Sequence, residues 1–169
     1  MQRARDVLGL PVVCLDSGEQ IGTVRDILCD HMWRTLGIVL EERSWFQPGT
    51  FIPFEMIQAV GEDCLTVSGK DTATSMESLA GLEVLGLFTG KNRLCGKTVL
   101  TERGESLGIV EDVYFSANWE KLVGCELSEG WLADLTAGRK RLPLESQLVI
   151  GKEALIIPDP PAQRPESVQ

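Results

Sequence analysis

The sequence predicts an all-β protein, built as two small β-barrels in tandem with at most short helices. Three observations lead there. First, the chain repeats itself. Ser17-Gly18-Glu19-Gln20-Ile21-Gly22-Thr23-Val24-Arg25-Asp26-Ile27-Leu28 returns, 86 positions later, as Arg103-Gly104-Glu105-Ser106-Leu107-Gly108-Ile109-Val110-Glu111-Asp112-Val113-Tyr114. The same offset carries Leu8 onto Leu94, Val13 onto Val99, Trp33 onto Trp119 and Leu36 onto Leu122. A repeat of this kind decides the architecture before any local reading does. Second, each copy breaks into short apolar, β-branched runs separated by turn residues, the pattern of a small barrel or sandwich. A barrel is favoured because closure removes exposed strand edges. Third, each copy has roughly 65 residues, near the lower limit for folding alone. The two copies are therefore expected to pack together and share apolar surface.

The elements follow in order. Residues 8–15 are apolar and β-branched, and Asp16-Ser17-Gly18-Glu19 breaks them, giving strand then turn. A second strand runs from 21 to about 30. In it Ile21, Val24 and Ile27 are spaced by three, so strict alternation cannot turn all of them inward, and Gly22 is placed to host a bulge that re-phases the strand. Ser106-Leu107-Gly108-Ile109-Val110 repeats the device. A third strand spans 35–41, with its counterpart at 121–127 after a one-residue insertion that matches Gly37 to Gly124. Next comes a long hairpin, with Pro48-Gly49 as its turn signal. Phe51-Ile52-Pro53-Phe54-Glu55 is a short strand ended by proline, matched by Arg141-Leu142-Pro143-Leu144-Glu145. Closing strands at 60–67 and 150–157 complete the copies. The predicted organisation is a first barrel over 1–68, a partly packed linker over 69–91, a second barrel over 92–158 and a disordered proline-rich tail over 159–169. A short helix is expected at 75–82.

Composition narrows the function classes. The formal net charge is −9, so most of the surface repels phosphate backbones. No apolar run approaches the ~18 residues that span a bilayer, and the N-terminal residues lack the features of a secretory signal. A soluble, cytoplasmic protein is expected. The five cysteines, Cys14, Cys29, Cys64, Cys95 and Cys125, show neither metal-clip nor redox-pair spacing and read as reduced thiols, most of them buried.

The order strand, acidic-x-Gly-Glu turn, Ile/Leu-Gly-x-Val-x-Asp strand, long hairpin, Leu/Ile-Pro and Gly-acidic-apolar closing strand resembles the PRC-barrel domain, named for the cytoplasmic domain of the photosynthetic reaction centre H subunit. The resemblance covers about 7–68 and again 92–158. The tandem arrangement is similar to two-barrel PRC proteins of spore-forming Gram-positive bacteria. It implies a small β-barrel used as a docking or assembly module rather than an enzyme, with no cofactor.

Residues with chemical potential support the same view. His31 is the single histidine, which excludes multi-histidine metal sites. Cys29 and His31 would share a strand face, but nothing supplies a third group, and the second copy has Phe115-Ser116-Ala117 there. Asp26, Asp112, Glu19 and Glu105 are carboxylates repeated in both copies. Acid–base catalysis needs two carboxylates across a cleft, and a small barrel offers none, so bonds to backbone amides near a bulge or turn are the expected role. No phosphate-cradling glycine motif precedes a helix.

The hairpins are the most suggestive features. The first carries Trp45 and Phe46. The second carries Trp131, Leu132 and Leu135, followed by Arg139, Lys140 and Arg141. Aromatic residues and arginine at a loop tip are frequent interface anchors. Both tryptophans could equally fold back over a barrel end or into the seam between barrels. These eight residues are the candidate partner-binding set. A protein partner, of unspecified identity, is the first expectation, and oligomer formation is open. The alternative is an RNA- or ribosome-associated factor that uses the basic cluster at 139–141.

Overall fold

The computed structural model describes residues 2–41, 49–128, 140–145 and 147–158. The first repeat contributes β1 (Gln2–Arg3), one helical turn α1 (Ala4–Val7), β2 (Pro11–Cys14), β3 (Gln20–Cys29), β4 (Thr35–Glu41), β5 (Thr50–Pro53), β6 (Ile57–Val60) and β7 (Leu65–Val67). The linker adds β8 (Thr74–Ser75), a 3-10 turn (Met76–Leu79) and β9 (Leu85–Gly86). The second repeat contributes β10 (Thr98–Thr101), β11 (Ser106–Phe115), β12 (Leu122–Ser128), β13 (Lys140–Pro143), β14 (Val149–Ile150) and β15 (Ala154–Ile157). The strands form two curled sheets of one topology, in the orders β6-β7-β2-β3-β4-β5-β8 and β13-β12-β11-β10-β15-β14. In each, the closing strand lies parallel to the opening one, Val12 beside Leu65 and Val99 beside Leu155. The all-β expectation and the doubled barrel both hold.

The long strands β3 and β11 show why period-two reading failed. The β2 register jumps from Val12 opposite Gly22 to Val13 opposite Gln20, so Ile21 is an extra residue. On the other edge it jumps from Val24 opposite Leu40 to Asp26 opposite Val39, so Arg25 is a second extra residue. Strand β11 repeats both jumps, at Leu107 and Glu111. Each bulge flips the phase by one, which returns Val24 and Ile27 to the core. The first bulge falls at the residue before the glycine, and the second was not foreseen.

Four details of the sequence reading are corrected. Val12, not Val13, is the equivalent of Val99, because each lies opposite the strand glycine. The turn after β2 is one residue longer than the turn after β10, as the closing bonds Cys14 N to Glu19 O and Thr101 N to Glu105 O show. Each closing stretch is a hairpin of two strands, turned at Gly61–Cys64 and Gly151–Ala154. The helix expected at 75–82 is a single 3-10 turn over Met76–Leu79, capped by the Ser75 hydroxyl accepting from Glu77 N at 3.2 Å.

One apolar core runs through both repeats, from Val7, Val12, Ile27 and Leu65 in the first to Val99, Val113, Leu122 and Leu155 in the second. The repeats also exchange their leading segments. Strand β1 pairs with β11 of the second repeat, Arg3 opposite Tyr114. Strand β9, which precedes the second repeat, pairs with β3 of the first, Gly86 opposite Leu28. The β3–β4 and β11–β12 turns meet at the seam, where Thr35 N donates to Glu120 O (2.9 Å) and Leu122 N to Trp33 O (2.8 Å). Trp33 and Trp119 both adopt left-handed backbone there, at φ 65° and 64°. Trp33 is buried and its indole Nε1 donates to Glu145 O at 2.9 Å.

Candidate docking surface

The two aspartates repeated between the copies, Asp26 and Asp112, belong to the seam. Asp26 Oδ1 accepts from Ile27 N (2.7 Å), Leu87 N (3.2 Å) and Phe88 N (3.0 Å), while Oδ2 accepts from Thr89 N (3.2 Å) and Thr89 Oγ1 (2.7 Å). Asp112 Oδ1 accepts from Val113 N (2.8 Å) and Arg5 N (3.2 Å). Each carboxylate thus receives the segment that leads into the other barrel. The expectation of amide-bonded aspartates describes this geometry, although the identity of the amides could not be read from local sequence. Glu19 lies far from them on an exposed turn and pairs with Lys70, and Glu105 is exposed on the equivalent turn. Cys29 is fully buried at the end of β3, whereas His31 sits in the following turn with Nδ1 3.0 Å from Glu83 Oε2. The two do not share a face. No group of three or more metal-ligating side chains occurs among the described residues.

The repeats differ most on the outer faces of their sheets. In the first, Leu28, Val39 and Phe51 form a small apolar cluster outside the main core. The linker seals it, as Met76, Leu79 and Val84 pack on it together with Leu36. Ladder register identifies the counterparts in the second repeat. Leu28 pairs with Gly37 as Tyr114 does with Gly124, and Val39 opposite Phe51 corresponds to Glu126 opposite Arg141. An apolar trio has become Tyr114, Glu126 and Arg141.

Arg3 completes this second face. Its guanidinium carbon lies 5.4 Å from the Tyr114 ring centre, and that of Arg141 lies 5.1 Å away, both within cation–π range. Arg3 Nη2 donates to Tyr114 Oη (3.3 Å), and that hydroxyl donates to Glu126 Oε1 (3.2 Å). Arg3 also reaches Glu126 directly at 3.4 Å. The Glu126 carboxylate, with smaller help from Tyr114, holds the guanidinium above its ordinary range. Val123, rather than the Leu122 given by the 86-residue offset, is the counterpart of Leu36, and it is 38% exposed where Leu36 is covered. The result is a charged sheet face laid over a buried aromatic ring, beside β13, the last strand of its sheet among the described residues. It can take an extended chain along the edge and a carboxylate at the guanidinium groups.

Of the predicted partner-binding residues, Trp45, Phe46, Trp131, Leu132, Leu135 and Arg139 lie outside the described residues. Lys140 opens β13, and Arg141 is on the face just built. Arg3, Tyr114 and Glu126 were missed. Comparing the two copies for positions where apolar gives way to charge would have found Glu126 and Arg141.

The fold and the doubled site define a member of the PRC-barrel domain family: that family matches residues 1–72 and again 90–164, and the chain belongs to it. Among curated proteins the chain is similar to the uncharacterised protein YrrD of Bacillus subtilis. The two are 25% identical over 159 residues, which cover 93% of this chain and 87% of YrrD. No helix among the described residues is long and apolar enough to cross a membrane.

Proposed function

We propose that this protein is a non-enzymatic docking module of the cytoplasm, which binds a protein partner on the outer face of its second barrel. The observation that carries the reading is the difference between two equivalent faces. One is apolar and closed by the chain's own linker. The other presents Arg3 and Arg141 over the buried Tyr114 and Glu126, beside β13. Trp131, Leu132, Leu135 and Arg139 shortly precede β13 in the sequence. The seam surface, by contrast, is consumed by the contact of the two barrels. Glu126 within the face and the net charge of −9 favour a protein over a phosphate backbone.

The test is capture of partners from nuclease-treated lysate by the wild-type chain and by Arg141→Glu, with circular dichroism to show that both fold. A specific protein retained by the wild type and lost by the variant supports the reading. Equal capture by both removes this face from consideration.

A further inference from the structure

We propose that Arg93 and Lys97 form an oxyanion site beside the closing turn of the second barrel, and that it takes a phosphate dianion, either inorganic or carried as a monoester. Comparison of the repeats locates it. Lys97 is the counterpart of Leu10, because both make the same backbone bonds. Leu10 N donates to Val7 O as Lys97 N does to Leu94 O, each at 3.2 Å, and Val24 N donates to Leu10 O (2.9 Å) as Val110 N does to Lys97 O (3.0 Å). Val7, rather than Leu8, is therefore the counterpart of Leu94, and the residues just before them are Asp6 and Arg93. In the closing turns, Gly61–Cys64 and Gly151–Ala154, Glu62 matches Lys152. Two acids and a leucine in the first repeat thus stand where the second has three cations.

The geometry suits an anion. Lys97 occupies the place of an apolar residue and is only 4% exposed, so its stem packs while its ammonium is drawn out of bulk solvent. Nζ donates to Lys152 O at 2.6 Å, which leaves two of its three N–H groups without an acceptor among the described residues. A Cβ placed on Gly96 would lie 3.7 Å from Arg93 Nε and 3.8 Å from Nη2, so the guanidinium lies against the residue next to Lys97. Burial, with a smaller push from Arg93, holds the Lys97 ammonium below its ordinary range. Neither Arg93 nor Lys97 makes an ion pair among the described residues, and Glu153 in the closing turn makes none either. A buried cation held near a second cation is costly until a counter-charge arrives. A phosphate dianion cancels both charges, accepting from the guanidinium fork and from the lysine together, whereas a carboxylate cancels one.

The site is separate from the docking face, since Lys97 precedes β10, and β11 and β12 lie between β10 and β13. Inorganic phosphate, phenyl phosphate and acetate are each titrated into the full chain at pH 8 and followed by amide NMR. The expected result is saturable shifts at residues 93–97 and in the turn at 151–154 with a phosphate, and binding of acetate at least about tenfold weaker. Tighter binding of phenyl phosphate assigns the site to a monoester, and tighter binding of inorganic phosphate assigns it to the simple ion; either order supports the site. Lys97→Leu installs the first barrel's own residue and so keeps the fold. It and Arg93→Gln should each weaken binding by about tenfold, the loss of one charge-assisted contact. Shifts that fail to saturate, that acetate reproduces equally, or that persist unchanged in Lys97→Leu overturn the proposal, whatever Arg141→Glu does to protein capture.

Discussion

Asp26 and Asp112 hold the same place in the two repeats, yet only Asp26 has both oxygens bonded. Thr89 supplies its N–H and hydroxyl to Asp26 Oδ2, whereas Asp112 Oδ2 is buried without a partner. The difference lies in the incoming segments. Phe88 N reaches Asp26 as Arg5 N reaches Asp112, but the residue after Phe88 is Thr89 and the residue after Arg5 is Asp6, an acceptor.

The two positions should therefore respond unequally to amidation. Asp26→Asn places an amide N–H₂ among donors and should cost about 2–3 kcal/mol, the scale of breaking buried bonds to a charged group. Asp112→Asn can place its nitrogen at the unpartnered oxygen and should cost under ~1 kcal/mol. Urea unfolding of both variants measures this, and equal losses would contradict the geometry.

Burial pushes the Asp112 carboxyl above its usual range, against the opposing bonds from Val113 and Arg5. The folded state then holds this proton more tightly than the unfolded state. Its contribution to stability is present below the ordinary aspartate pKa and is lost as pH rises through the raised folded value. Asp112→Asn should flatten that part of the stability–pH curve, and denaturant midpoints taken between pH 3 and 7, in both proteins, test it.

Gly37 sits at φ 153°, and a Cβ there would collide with the Ile52 carbonyl oxygen and the Phe51 ring. Gly37→Ala should destabilise the fold by more than about 2 kcal/mol. By contrast, Gly81→Ala meets open space, and its strain comes from φ 82° alone. A smaller thermal shift for Gly37→Ala than for Gly81→Ala would count against the close approach of β4 and β5.

Cys14, Cys29, Cys95 and Cys125 are buried, and Cys64 is half-buried. Burial pushes the Cys95 and Cys125 thiols up to about 12 and raises Cys14 and Cys29 as well. Thiolate is the reactive form. At pH 8 the native protein should give one fast thiol with a disulfide reagent, at Cys64, and five in denaturant; mass mapping identifies the site.

A core continuous across both repeats predicts one cooperative unfolding transition. Trp33→Phe, which removes the bond to Glu145 O, should lower that single transition by about 1–2 kcal/mol rather than split it. Two resolved transitions in the wild type would show that the barrels unfold separately.

The strands, their order and the doubling were legible because turn residues and apolar runs are local signals, and the repeat supplied them twice. The second bulge was hidden because Arg25 and Glu111 look like ordinary solvent-facing strand residues. The exchange of leading segments was hidden for a different reason. Residues 2–5 and 85–89 carry no pattern of their own, and only long-range register shows Arg3 beside Tyr114. The candidate face was half visible, with Arg141 read from charge and Tyr114 and Glu126 passed over because each looks ordinary within its own strand.

The exchanged leading segments set an order of events during synthesis. Residues 2–5 emerge from the ribosome first, yet their seat on β11 is more than a hundred residues downstream. The first barrel must wait in turn for β9 before β3 is covered. Strand β3 stays open until the linker is made, and β1 finds no partner until β11 follows, so the leading residues stay unpaired while more than half of the sequence is translated.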